Sequence, residues 1–158
     1  MNPGGVRADV HAGQITYGEA FTVQPFGNSL VTMTLTGTQV LAMLRQQWCG
    51  QTSPRILLPS AEVRYSWDAA TAAAITNQPC ETAANPVSRL TIGGAPVDAA
   101  GAYRITVNSF LADGGDRFFV LREGTNRVGS LVDTDALEQY FATGPKDPPA
   151  QTRINVVP

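Results

Sequence analysis

The sequence predicts an α+β fold in which mixed sheets pack with a few helices, and three observations carry that prediction. Period-two alternation recurs at Leu30–Leu35, Glu62–Trp67, Val87–Ile92 and Tyr103–Val107, the mark of half-buried strands. Thr-x-x-Glu and Thr-x-x-Gln capping boxes at Thr16 and Thr36 open helical segments. Strands and helices mix without the regular strand–helix–strand repeat of a doubly wound parallel sheet. The 158 residues read as one domain, 1–158, long enough to bury a substantial core.

Thr16-Tyr17-Gly18-Glu19 begins a helical turn. Gln24-Pro25-Phe26-Gly27-Asn28 is a loop: Pro25 fixes the backbone ahead of Phe26, and Gly27 lets the chain reverse after it. Phe26 therefore stands at a loop tip, where a large apolar ring is either tucked inward or available to a ligand. Leu30–Leu35 is a strand with Val31, Met33 and Leu35 on one face. Thr36-Gly37-Thr38-Gln39 caps a helix running through Trp48, whose Val40, Leu41, Leu44 and Trp48 form a core stripe. Ile56–Leu58 and Glu62–Trp67 read as strands, the second with Val63, Tyr65 and Trp67 on one side. Asp68–Asn85, rich in Ala and Thr, reads as a surface excursion. Val87–Ile92, Gly93-Gly94 and Ala95–Val97 form a hairpin signal, the Gly-Gly pair suiting a type I′ turn. Phe119–Leu121 reads as a short further strand. Asp133 is expected to cap a helix carrying Leu137, Tyr140 and Phe141, stopped by Gly144-Pro145. Lys146–Gln151 is a Pro-rich loop, and Arg153–Val157 a closing edge strand.

Charged residues make up 15% of the chain, well below the usual quarter or so, and 15 glycines with 11 prolines imply many turns. A net charge of -2 supplies no basic footprint for nucleic acid. No apolar run approaches the roughly 20 residues of a membrane span, so no membrane insertion is expected. The first residues are polar and Gly-rich, unlike a signal peptide. Met1-Asn2-Pro3-Gly4-Gly5 enters a Gly-rich turn with no leading element, which predicts a piece of a larger protein, with Met1 either native or an added start residue. Cys49 and Cys80 both lie in polar, irregular sequence, which favours a disulfide over two buried free thiols. Such a bridge contributes roughly 3–4 kcal/mol and implies an oxidising compartment outside the cytoplasm.

A dinuclear hydrolytic centre needs several His, Asp or Asn ligands, and the one histidine, His11, lies in a loop. No G-x-S-x-G elbow exists for a serine nucleophile. Asp113 and Asp116 lie too close within one Gly turn to act as a glycosidase-type pair. No catalytic residue and no metal ligand is therefore expected in this chain.

Three stretches remain. In Val107–Phe118, VNSFLADGGDRF, an extended segment runs into Gly114-Gly115 and leaves Phe110 and Asp116 on opposite sides of a tight bend. An aromatic face and a carboxylate in one loop can grip a flat ring and a sugar diol; they can equally be a core Phe and a turn-capping Asp. Asn2-Pro3-Gly4-Gly5-Val6-Arg7 can form an anion nest, with Gly4 and Gly5 exposing N–H groups and Arg7 offering its fork. The alternative there is a turn followed by a surface arginine. The third stretch is Gln24–Asn28, which carries Phe26.

In this order, Asn2–Arg7, Gln24–Asn28 and Asn108–Asp116 resemble the C-terminal domain of the 5′-nucleotidase family, which includes UDP-sugar hydrolases and 2′,3′-cyclic-nucleotide phosphodiesterases. The likeness runs from Asn2 to Ala142 and on to Ile154. It implies a nucleoside-binding domain in which Phe26 and Phe110 sandwich the base and Asp116 accepts hydrogen bonds from the ribose hydroxyls. It further implies that Arg7, with Asn2 of the same motif, meets the sugar–phosphate end, and that Asn28 lies beside the base edge. The family's catalytic machinery, two divalent metal ions in an N-terminal metallophosphoesterase domain, is absent from these residues, so no cofactor is expected here. The leading expectation is the substrate-binding domain of an extracellular, periplasmic or cell-wall-associated nucleotide hydrolase, inactive alone. The alternative is a non-enzymatic module that captures nucleosides or presents a protein-binding surface.

Overall fold

In the computed structural model, which describes residues 1–157, the alternation around Met33 becomes strand β1 (Ser29–Thr36). Met33 and Leu35 are fully buried, and Val31 packs against the same core. β1 is the middle strand of an antiparallel sheet, with β5 (Ala102–Asn108) on one side and β6 (Thr125–Val132) on the other. The register pairs Met33 with Ile105 and Leu35 with Tyr103, so the apolar side chains of the two strands share one face. On the opposite face the hydroxyls of Thr32 and Thr106 are 2.8 Å apart.

The second sheet has the order β4-β3-β2-β7, from β2 (Val63–Asp68), β3 (Val87–Ile92), β4 (Ala95–Pro96) and β7 (Ile154–Val157). It is antiparallel except where β7 joins β2 in parallel, as the expected edge strand. Gly93 and Gly94 have φ of 60° and 80°, the pair of positive angles that a type I′ hairpin requires. Helices α1 (Tyr17–Val23) and α2 (Gly37–Arg45) both begin with complete capping boxes, at Thr16/Glu19 and Thr36/Gln39. α2 touches β1 of one sheet and β3 of the other. Its Val40 and Leu44 join Trp48, Tyr65, Leu111, Phe118 and Leu121 in one core that draws on both sheets. The fold is α+β, as the pattern of elements predicts.

Several expectations are corrected. Asp68–Asn85 is not a surface excursion: it contains α3 (Ala69–Ile75), capped by the Asp68 carboxylate accepting from the Thr71 N–H at 2.6 Å. Ala72 and Ile75 of this helix are buried. Alanine is the best helix former, but an Ala run shows no stripe of large residues to betray it. α2 stops at Arg45, and tight turns over the next residues carry Trp48 into the core. Ile56–Leu58 is no sheet strand; Leu58 makes two backbone bonds with Met1 instead. Phe119–Leu121 lies in a 3-10 helix, Phe119–Glu123. Asp133 is the first residue of α5 (Asp133–Ala142) rather than its N-cap, which is Val132. β6 has no counterpart in the sequence reading: it is exposed along nearly its whole length and bulged against β1, so no alternation marks it.

Candidate functional site

The site is built where β5 ends. Asn108, its last residue, caps the short helix α4 (Ser109–Ala112) by accepting from the Leu111 N–H at 2.9 Å. That turn buries Leu111 and Ala112 and leaves Phe110 outside, 45% exposed. The chain then doubles back through Gly114-Gly115 into a 3-10 turn, Gly115–Arg117. A Cβ at Gly115 would lie 2.5 Å from both Cε1 and the carbonyl oxygen of Phe110. Only glycine lets the loop close against the Phe110 ring. The loop delivers Asp116 with φ 50° and ψ 26°, a left-handed conformation that few non-Gly residues adopt.

The N-terminal segment runs across this loop. Asn2 is buried, and its Nδ2 donates to Asp116 Oδ2 at 2.8 Å. Asn108 Nδ2 in turn donates to Asn2 Oδ1 at 3.2 Å. The strand end, the N-terminal turn and the acidic loop are thus one hydrogen-bonded relay. The Gly5 N–H donates back to the Asn2 carbonyl at 2.9 Å in the 3-10 turn Pro3–Gly5. This corrects the expectation of an anion nest that uses both glycine amides. The Met1 nitrogen donates to the Leu58 carbonyl at 2.8 Å. Arg7 is tied to the end of α1 through its backbone N–H and the Val23 carbonyl, 2.9 Å. Its guanidinium lies 5.9 Å from the centroid of the Phe26 ring, which is 51% exposed. The Asn28 carbonyl accepts from the Asp133 N–H at 2.8 Å, while its side chain lies 3.4 Å from Asp133 Oδ2 and 3.4 Å from the Ser109 hydroxyl.

All six residues singled out in the sequence, Asn2, Arg7, Phe26, Asn28, Phe110 and Asp116, line one cavity of about 380 Å³. Gly4, Gly5 and Asn108 complete its wall. Phe26 and Phe110 are each about half exposed, and the Asp116 carboxylate stands with one oxygen on Asn2 and the other 3.8 Å from the Arg55 guanidinium. A carboxylate has about four acceptor positions, so a vicinal diol can still be accommodated. Three contributors escape the sequence reading. Asn108 could have been found as the Asn that ends a strand three residues before a buried Leu. Gln51, which donates to the Asp116 carbonyl at 2.6 Å from 65 residues away, and Arg55 carry no local signal.

Cys49 and Cys80 form a disulfide. It adjoins Gly50-Gln51, the segment that also accepts from Arg117 through the Gly50 carbonyl at 2.7 Å. Asp113 pairs with Arg127 at 3.1 Å and does not line the cavity. His11 is exposed. Among the described residues no three His, Cys, Asp or Glu side chains converge.

A family model described as "5′-nucleotidase, C-terminal domain" matches residues 1–123. The chain belongs to the 5′-nucleotidase C-terminal domain family. This 5′-nucleotidase C-terminal domain is 32% identical over 149 residues to a 5′-nucleotidase of Vibrio cholerae, covering 93% of the chain and 24% of that relative. It is 28% identical over 146 residues to a cell wall protein of Listeria monocytogenes, covering 89% of the chain and 18% of that relative. The crystal structure of a 5′-nucleotidase precursor from Thermus thermophilus superposes with a TM-score of 0.78 at 31% identity, over 99% of this chain and 30% of that one. The domain spans about a quarter of the length of the curated relatives it matches. No helix among the described residues is long and apolar enough to cross a membrane.

Proposed function

We propose that this chain holds the nucleoside moiety of the substrate in an exported, metal-dependent 5′-nucleotidase whose phosphoesterase centre lies in an N-terminal part of the same polypeptide. The observation that carries this reading is the cavity in which Phe26 and Phe110 stand half exposed beside the Asp116 carboxylate. Large aromatic rings at the surface of a site lose hydration cheaply when a flat π-system covers them, and such stacking accepts any base. Asp116 would accept from the ribose hydroxyls, and Arg7 would meet the anionic end. Asn2, buried and donating to Asp116, would act on the sugar through that carboxylate. The disulfide supports export, and so do relatives that include a precursor 5′-nucleotidase and a cell wall protein. The two metal ions would belong to the N-terminal part and supply the activated water there.

The reading predicts that the 158-residue chain binds adenosine and AMP but releases no phosphate from AMP. EDTA-sensitive turnover by the pure chain would contradict it. Asp116→Ala is expected to weaken adenosine about tenfold while leaving 2′,3′-dideoxyadenosine nearly unchanged, the size expected for hydrogen bonds to a charged acceptor. Calorimetric titration of both ligands checks this; equal loss for the two would remove Asp116 from the diol.

A further inference from the structure

We propose that Gln51 is a positioning residue for Asp116, setting the discrimination between ribose and a sugar without the 2′,3′-diol; this rests on the nucleoside reading above. Asp116 and Arg117 are consecutive non-Gly residues in the left-handed region, with φ of 50° and 62°. L side chains adopt that region rarely, and such a pair persists only where its surroundings over-determine it. The surroundings are specific. Gln51 is 4% exposed, and its Nε2 donates to the Asp116 carbonyl at 2.6 Å and to the Gln46 carbonyl at 3.0 Å. Both amide hydrogens are therefore spent on main-chain oxygens. Arg117 reaches back to the Gly50 carbonyl at 2.7 Å, so residues 50 and 51 hold the acidic loop at two successive positions.

That segment is itself fixed from behind. The Gly50 N–H donates to the Gln78 carbonyl at 2.7 Å, and the Gln51 carbonyl accepts from the Asn77 N–H at 2.9 Å. The Cys49–Cys80 bridge closes the same pair of segments, with Cys49 next to Gly50 and Cys80 two residues beyond Gln78. The Asp116 peptide is thus clamped to a cross-linked base, while Asn2 holds its carboxylate from the cavity side at 2.8 Å. Gln51 stands outside the cavity lining whereas Asn2 is part of it, and both contacts are to Asp116. Together they fix both ends of the residue that faces the diol, a preorganisation that acts on sugar recognition and leaves base stacking to Phe26 and Phe110.

Gln51→Met keeps the volume and removes the donor. Adenosine and 2′,3′-dideoxyadenosine are titrated against the unsubstituted chain and the variant. The preference for adenosine is expected to fall about threefold, less than on loss of the carboxylate itself, with dideoxyadenosine affinity changed less than twofold, because a carboxylate released from its fixed position keeps only part of its hydrogen bonding to the diol. A merely structural role would weaken both ligands alike, and an unchanged ratio overturns the assignment. Should Gln51→Met not fold, Gln51→Asn decides it: the side chain stays a polar amide but is one methylene too short to reach the Asp116 carbonyl, and an unchanged ratio there likewise overturns the assignment. Absence of adenosine binding by the unsubstituted chain would instead overturn the nucleoside reading, and this assignment with it.

Discussion

Replacing both bridge cysteines, Cys49→Ala with Cys80→Ala, lowers the stability of the chain by about 3.7 kcal/mol and its Tm by roughly 7–15 °C. The magnitude follows from the sequence separation of 31 between the two cysteines, which sets the loop entropy removed from the unfolded chain. The bridge ties the turn after α2 to the segment after α3, two regions that otherwise meet through a few main-chain bonds. Thermal unfolding of the variant, beside the unsubstituted chain with and without reductant, measures the effect. A Tm within two degrees or so in all three samples would contradict it, as would alkylation of both thiols in the folded, unreduced chain. The same substitution is expected to loosen Gly50-Gln51 and so to weaken adenosine binding more than its distance from the cavity would suggest.

Phe110→Ala is expected to lower adenosine affinity by roughly 5- to 150-fold, the range that corresponds to the 1–3 kcal/mol of one base–aromatic stack. Phe26→Ala falls in the same range. Both rings are about half exposed, so neither truncation opens a core cavity, and the Tm of each variant is expected to stay close to that of the parent. Stacking does not read hydrogen-bonding edges, so adenosine, guanosine and uridine should lose affinity by similar factors. Calorimetric titration of the three nucleosides against each variant provides the check. Unchanged affinity in Phe110→Ala would remove the stacking role.

How much of this was legible in the sequence depended on whether the signal was local. β1, β5 and the β3–β4 hairpin could be read because each buries one face and closes with residues that fix the turn, Thr36 and Gly93-Gly94 among them. α3 could not, because Ala69–Ile75 is mostly alanine and shows no stripe of large apolar residues, and Asp68 signals a cap only once the helix is known. β6 hid for the opposite reason: nearly every side chain on it faces solvent. Of the cavity, the six residues in motifs of fixed order are legible, since their neighbours Pro, Gly and Asn announce turns, and all six line it. Gln51 and Arg55 are not. Both reach Asp116 across more than half a hundred residues, through a fold in which the disulfide and α3 decide where they stand. Asn2, expected at the sugar–phosphate end, lines the cavity and also donates to Asp116.

The most direct measurement is a set of intermolecular nuclear Overhauser effects in the complex of the labelled chain with adenosine. Cross-peaks from adenine H2 and H8 to the ring protons of both Phe26 and Phe110 are expected, with the ribose protons near Asp116. Cross-peaks to one ring alone, or to neither, would contradict a base held between the two.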